Sequence, residues 1–321
     1  MSRFYNACEA NFQAFCKSNR TADIIAKKQE IMDTISTFHN LTPTSILFVG
    51  FSSFIFAHYG QDIAVTCISD TAQQFLKDQG LEIKQSNLCS EIILPTNEKR
   101  TAVCCLSSLN LEYFDDWKNN TLFLRDVAEM LDNVLQYFID NAPDSISRAR
   151  YSASRERSIG IGALGFHAYL QKNLVPFEGV MAKINNNRIF SHIRTGLDKA
   201  NLELGSERGE APDAVGTGRR FSHLMSIAPN ASSSIIMGNT SPSIEPYRAN
   251  AYRQDTLSGS FLNKNRYLDR IIKGLTQTEE QYNDAWSSII ANDGSVQHLT
   301  WMDELTKDVF KTSMEIDQRW V

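Results

Sequence analysis

Ser86-Asn87-Leu88-Cys89-Ser90-Glu91-Ile92-Ile93-Leu94-Pro95 reads as an extended segment, and Arg100-Thr101-Ala102-Val103-Cys104-Cys105-Leu106-Ser107 after it as a strand whose Ala, Val and Cys residues suit a buried sheet. A helix follows. Between Asn120 and Asp140, the residues Leu124, Val127, Ala128, Leu131, Val134, Leu135, Phe138 and Ile139 recur at helical spacing, and Asn141-Ala142-Pro143 ends the run. Further helices are predicted over 162–172, 184–206, 278–292 and 300–318. The stretch 224–262 is rich in Ser, Asn, Pro and Gly and is predicted to form loops with short strands at a ligand-facing edge. Strands alternating with helices after residue 85 predict an α/β architecture with a largely parallel sheet or barrel, and periodicity fits either.

Upstream the pattern differs. Residues 1–45 are polar and mostly helical in spacing, and Leu41-Thr42-Pro43 breaks that helix. Ile46-Leu47-Phe48-Val49-Gly50 and Ile63-Ala64-Val65-Thr66-Cys67-Ile68 are strand-like runs flanking a crossover helix over 51–59, with another helix at 72–77. With Asp70 closing the second run, this outlines a nucleotide- or S-adenosylmethionine-binding βαβ unit. Its turn has one glycine rather than three, and Phe51 and Phe54 hinder close backbone approach, so a small docking module is the better reading. The domain expectation is therefore a small α/β segment over 1–84 and a larger unit over 85–321.

Composition narrows the function class. With 321 residues and 42% apolar content the chain can fill a real core. Its 32 basic and 37 acidic residues give a net charge of −5, which offers no general attraction for nucleic acid. Six cysteines, Cys8, Cys16, Cys67, Cys89, Cys104 and Cys105, lack both a secreted disulfide framework and paired metal spacing, so they read as cytosolic thiols. No apolar run reaches the roughly 18 to 20 residues of a membrane span, and a cytoplasmic protein without membrane contact is expected. His39, His58, His167, His192, His223 and His298 are scattered without ligand spacing, so no protein-bound metal is predicted.

In an extended segment alternate side chains share a face, which would bring Asn87, Cys89 and Glu91 together. A thiol, a carboxylate and an amide on one face supply an abstracting sulfur, a general base and an orienting hydrogen-bond partner. Spacing alone favours the blander reading of a buried cysteine beside a solvated acid. The loop Ala228-Pro229-Asn230-Ala231-Ser232-Ser233-Ser234 would turn backbone N–H groups and hydroxyls toward an anion if it opens a helix, although such clusters are more often capped surface turns. Gly160, Gly162 and Gly165 imitate a dinucleotide fingerprint, but no strand precedes them, so they predict close helix packing.

Taken in order, Ser86–Pro95, Ala102–Leu111, Arg157–Phe166, Ser226–Ile235, Ser241–Asn250 and Leu262–Asn265 resemble the large, catalytic subunit of aerobic class I ribonucleotide reductases. The resemblance implies a partial ten-stranded α/β barrel of the ribonucleotide reductase type from about residue 85. It implies that Cys89 forms the thiyl radical that takes the 3′ hydrogen of a ribonucleoside diphosphate. Glu91 would then be the base for the 3′-hydroxyl proton and Asn87 the orienting amide. It further implies that Cys104 is one of the two thiols oxidised to a disulfide in each turnover, and that Asn230, Ala231, Ser232, Ser233 and Ser234 receive the substrate phosphates. Cys105, on the opposite strand face, reads as structural. The segment would bind no cofactor itself. The radical would come from a diiron small subunit, and electrons from a thiol reductant of the thioredoxin or glutaredoxin type.

The match also has gaps. The family's second redox thiol has no counterpart here, since nothing around Cys67 matches, and neither do its adjacent tyrosine pair, its C-terminal thiols or its nucleotide-sensing region. These gaps predict a piece of a split enzyme, as in an interrupted phage gene acting in the host cytoplasm, assembled with other large-subunit fragments. The alternative is an inactive fragment serving only as an assembly or binding module.

Overall fold

The computed structural model describes residues 80, 81, 83, 86–89, 91–256 and 259–321. The chain forms two compact units, Met1–Val103 and Cys104–Val321. The βαβ outline over 46–70, the helix at 72–77 and Cys67 lie outside the described residues. In the first unit the described backbone makes two tight antiparallel bridges, Ser86 with Ile93 and Asn97 with Arg100. Ile83, Ile92 and Leu94 are its buried apolar anchors.

The second unit begins with strand β1 (Cys105–Asn110), helix α1 (Phe114–Trp117), α2 (Phe123–Asn141) and α3 (Ser147–Glu156). Strand β2 (Ile159–Leu164), α4 (Phe166–Lys172) and the long α5 (Val180–Arg208) follow. Then come α6 (Ala231–Ile236), the hairpin β3 (Ala251–Thr256) and β4 (Gly259–Lys264), α7 (Arg266–Leu275), α8 (Glu279–Ala291) and α9 (Glu304–Val309). Strands β1 and β2 are parallel, in register from Cys105 opposite Ile159 to Asn110 opposite Leu164. Residues 223–226 run parallel on the far side of β2, bridged at Ile161 and Met225 and bonded from Ile159 N to His223 O and from Ile161 N to Leu224 O, both at 3.0 Å. The α/β expectation holds. Among the described residues the parallel strands do not close into a barrel.

Three sequence expectations need correction. The first concerns 162–172, where the helix begins only at Phe166 and the glycine-rich run before it is strand β2, buried along its whole length. Gly160 and Gly162 therefore serve sheet packing, not helix packing. A Cβ at Gly162 would lie 2.1 Å from the Ser226 carbonyl oxygen, and one at Gly160 would lie 2.4 Å from Leu106 Cδ2, so only glycine lets the neighbouring chains close in. The second concerns 100–107: residues 101–104 are irregular, and the strand starts at Cys105. The third concerns 300–318. Only Glu304–Val309 is α-helical, because Asp303 caps the Thr306 N–H and the Glu315 carboxylate ties back the Thr312 N–H beyond the helix end.

One apolar core lies between the strands and helices α2, α4 and α5, with Leu109, Ile159, Ile161, Leu131, Leu170, Ile193 and Leu197 in contact. Each such side chain contributes about 1.5–3 kcal/mol on burial. A second core, centred on Leu268, Ile272, Trp286, Ile289 and Phe310, joins α7, α8 and α9. The entry to β2 is fixed electrostatically. Asp132 of α2, 1% exposed, meets Arg157 at 2.6 Å, Arg208 at 3.0 Å and Arg220 at 3.1 Å. Burial pushes its carboxyl up, but the hydrogen bond and charge of Arg157 and the charge of Arg220 outweigh that and leave it below the usual carboxylate range. Among the described residues no helix is long and apolar enough to cross a membrane.

Candidate active site

Asn87, Leu88, Cys89 and Glu91 lie on a turn, not on the extended strand their alternation predicts. Asn87 N donates to Ile92 O at 3.1 Å, and Ile92 N donates to the Asn87 side-chain oxygen at 3.2 Å. The Asn87 amide therefore closes the loop, competing with strand geometry as short polar side chains do. Leu88 and Cys89 occupy the tip, Leu88 being 95% exposed, while Cys89 and Glu91 are half-buried. Buried Ile92 and Leu94 hold the base of the loop. The structure thus gathers Asn87, Cys89 and Glu91 on one short loop in the first unit, by a turn instead of by a shared strand face.

Cys104 and the serine loop belong to the second unit. Cys104 lies just before β1 on the face that carries Leu106, Gly160 and Ser226: a Cβ at Gly160 would stand 2.7 Å from Ser226 Cβ and 3.3 Å from Cys104 Sγ. This face is lined with small and polar groups, since Ser108 Oγ and the Ser226 carbonyl flank Gly162. Cys105 turns the other way and packs on the main core, and burial pushes its thiol up. That disposition follows from strand alternation, which sends Cys104 and Cys105 to opposite faces, both half-buried. Cys89 and Cys105 are free thiols.

Beyond the third parallel segment, the chain turns at Asn230 in the left-handed region (φ 54°) and enters α6. Ala231, Ser232 and Ser233 are exposed, whereas Ser234 is buried with its hydroxyl donating to Ala231 O at 3.0 Å. The Asn230 amide donates to Ala163 O at 3.1 Å and to Ala228 O at 2.8 Å. The loop therefore rests on the carboxyl end of β2, the end at which parallel α/β folds place their ligands. Of the predicted phosphate residues, 231–233 face outward and the side chains of Asn230 and Ser234 face inward.

Glu112, just past the end of β1 and 2% exposed, has no counterpart in the sequence expectations. The Tyr267 hydroxyl donates to it, and Arg266 lies 3.3 Å away. Burial and this carboxylate together push the Tyr267 hydroxyl far above its usual range. Arg266 also donates to the Gly238 carbonyl just beyond α6, so Glu112 steadies the far side of the serine loop. An acid set in the apolar stretch Leu109-Asn110-Leu111-Glu112-Tyr113-Phe114 was the available signal. Among the described residues no group of three or more His, Cys, Asp or Glu side chains is placed to hold a metal ion.

A family model described as the ribonucleotide reductase barrel domain matches residues 70–217 and 211–321. The ribonucleoside-diphosphate reductase large subunit of Invertebrate iridescent virus 3 is 60% identical over 245 residues, covering 76% of this chain and 39% of that protein. The corresponding subunit of Invertebrate iridescent virus 6 is 61% identical over 235 residues, covering 73% of this chain and 24% of that one. Among solved structures, the Actinobacillus ureae class Id ribonucleotide reductase alpha subunit superposes with a TM-score of 0.71 at 41% identity, covering 78% of this chain and 46% of that one. The chain thus spans less than half the length of each of these relatives.

Proposed function

Since the chain belongs to the ribonucleotide reductase barrel-domain family and its fold is of that type, we propose that it is the catalytic-loop portion of a ribonucleoside-diphosphate reductase large subunit. The observation that carries this reading is the Cys89 loop: a free thiol at the tip of a turn closed by Asn87, with Glu91 two residues on. In this reading Cys89, once oxidised to a thiyl radical, takes the 3′ hydrogen atom of the ribose, forming S–H as C–H breaks. Glu91 accepts the 3′-hydroxyl proton and returns it when that hydroxyl is re-formed, and the 2′-hydroxyl leaves as water with a proton from one of the two redox thiols. Cys104 is one of two thiols that return two electrons and close to a disulfide, and Cys89 recovers its radical when the 3′ hydrogen goes back. The diphosphate rests on the loop that runs from Asn230 to Ser234, against its exposed residues 231–233. All these side chains must work away from bulk water, because a radical intermediate exposed to solvent undergoes side reactions.

The chain holds no radical source of its own in this proposal. A small subunit supplies the oxidising equivalent, a dithiol protein reduces the disulfide, and further large-subunit segments contribute the second redox thiol. Residues 85–321 carry the reductase motifs that this chain has, 1–84 are read as a separate segment, and the cytoplasm provides the reducing setting that free thiols require. The test is formation of deoxyribonucleoside diphosphate from ribonucleoside diphosphate when the chain is mixed with reductase small subunit, complementary large-subunit segments and a dithiol reductant. Activity only in the complete mixture supports the proposal. A chain that associates with none of these components and adds nothing to turnover refutes it.

A further inference from the structure

We infer that Asn230 is a positioning residue that anchors the phosphate-facing segment 231–233 to strand β2, and that its side chain is not itself a phosphate ligand. This rests on the reading of that segment in the proposed function. Both hydrogens of the Asn230 amide are committed to main-chain carbonyls, Ala163 O at 3.1 Å and Ala228 O at 2.8 Å. Two carbonyl acceptors also settle the orientation of the amide, since turning it over would set its oxygen against both. A phosphate could recruit this side chain only by breaking the hold on β2.

The same residue does two other jobs. Its backbone sits at φ 54°, ψ 30°, a region asparagine tolerates better than other non-glycine residues, and its carbonyl accepts the Ser234 N–H at 3.0 Å. Strand contact, reversal and first helical bond thus meet at one position. Beyond the helix, Thr240 N returns to Ser234 O at 3.1 Å, and Arg266, paired with buried Glu112, holds the Gly238 carbonyl. The segment is fastened at both ends, leaving Ala231, Ser232 and Ser233 exposed between them. Such a segment gives up little conformational entropy on binding an anion, whereas one freed at Asn230 must be ordered by the ligand.

The experiment compares the full wild-type chain with Asn230→Gly, which keeps the left-handed backbone, and Asn230→Asp, which keeps the shape but loses both donors. Inorganic pyrophosphate affinity is measured by calorimetric titration, and hydrogen exchange of the peptide spanning 229–238 is followed without ligand. Both variants should bind pyrophosphate about ten- to a hundredfold more weakly, exchange faster in 231–236 before ligand is added, and unfold near the wild-type midpoint. Equal affinity across the three chains overturns the inference. Weaker binding with unchanged ligand-free exchange also overturns it, because that pattern marks a direct ligand. If the wild-type chain binds no pyrophosphate, the phosphate reading itself fails, and the exchange data still decide the anchoring: faster exchange in the variants supports it and unchanged exchange refutes it. Should Asn230→Gly fail to fold, Asn230→Asp carries the comparison.

Discussion

The backbone N–H of Tyr247 donates to Nδ1 of His167 at 2.9 Å, joining the loop after α6 to the buried face of α4. The bond leaves the ring proton on Nε2, toward the Val309 carbonyl. A neutral imidazole therefore ties three parts of the second unit together. Burial, against the opposing pull of that carbonyl, lowers its pKa from 6.5 to about 3.

This linkage has a definite sign. Unfolded chains protonate His167 below its ordinary pKa of 6.5, while the folded chain resists until about 3. Its contribution is therefore complete above pH 6.5 and lost as pH falls toward 3, amounting at most to roughly 5 kcal/mol. His223, also depressed by burial, acts in the same direction. Urea unfolding at pH 7, 5 and 4 should show falling stability, with a shallower decline in His167→Gln. Identical declines in the two chains would remove the role assigned to this ring.

Asp132 should be the costliest single charge to remove. Replacing it with Asn leaves Arg157, Arg208 and Arg220 facing one another without their shared carboxylate. The expected loss is about 3–5 kcal/mol, the usual cost of breaking a buried ion pair from one side. Denaturation midpoints measure it. A loss within the range of surface substitutions, about 0.5 kcal/mol, would mean that the arginines are held by other contacts.

Glycines in this chain should differ sharply in their tolerance of alanine. At Gly162 the added methyl would meet the Ser226 carbonyl at 2.1 Å, so β2 and residues 223–226 must separate, at a cost of about 1–3 kcal/mol or more. At Gly274, within α7, no atom lies within 4 Å, and Gly274→Ala should be neutral or stabilising by about 0.5–1 kcal/mol. Thermal unfolding of both variants checks the contrast. Equal effects would contradict the close strand approach.

These contacts also explain what could be read from the sequence. Helix α2 was legible because Leu124, Leu131 and Leu135 recur on one face, and the core buries that face. Strand β2 was not. Its Ile-Gly-Ile-Gly-Ala-Leu run has no polar alternation because both faces are buried, and its glycines answer to Ser226 and Leu106, which are distant in sequence. Asn87, Cys89 and Glu91 were expected to share the face of an extended segment, and the turn geometry was not legible, since a side-chain bond to Ile92 overrides the extended spacing. The serine loop was recognisable by residue type. The inward commitments of Asn230 and Ser234 depend on Ala163, Ala228 and Ala231, which no local pattern discloses.

The central claim is that Cys89 carries the chemistry, and the most direct measurement is deoxyribonucleoside diphosphate formation by the reconstituted reductase with wild-type chain and with Cys89→Ser, a substitution that keeps the loop but cannot form a thiyl radical. The account predicts turnover with the wild-type chain and none above background with Cys89→Ser. Undiminished turnover in the variant would contradict it.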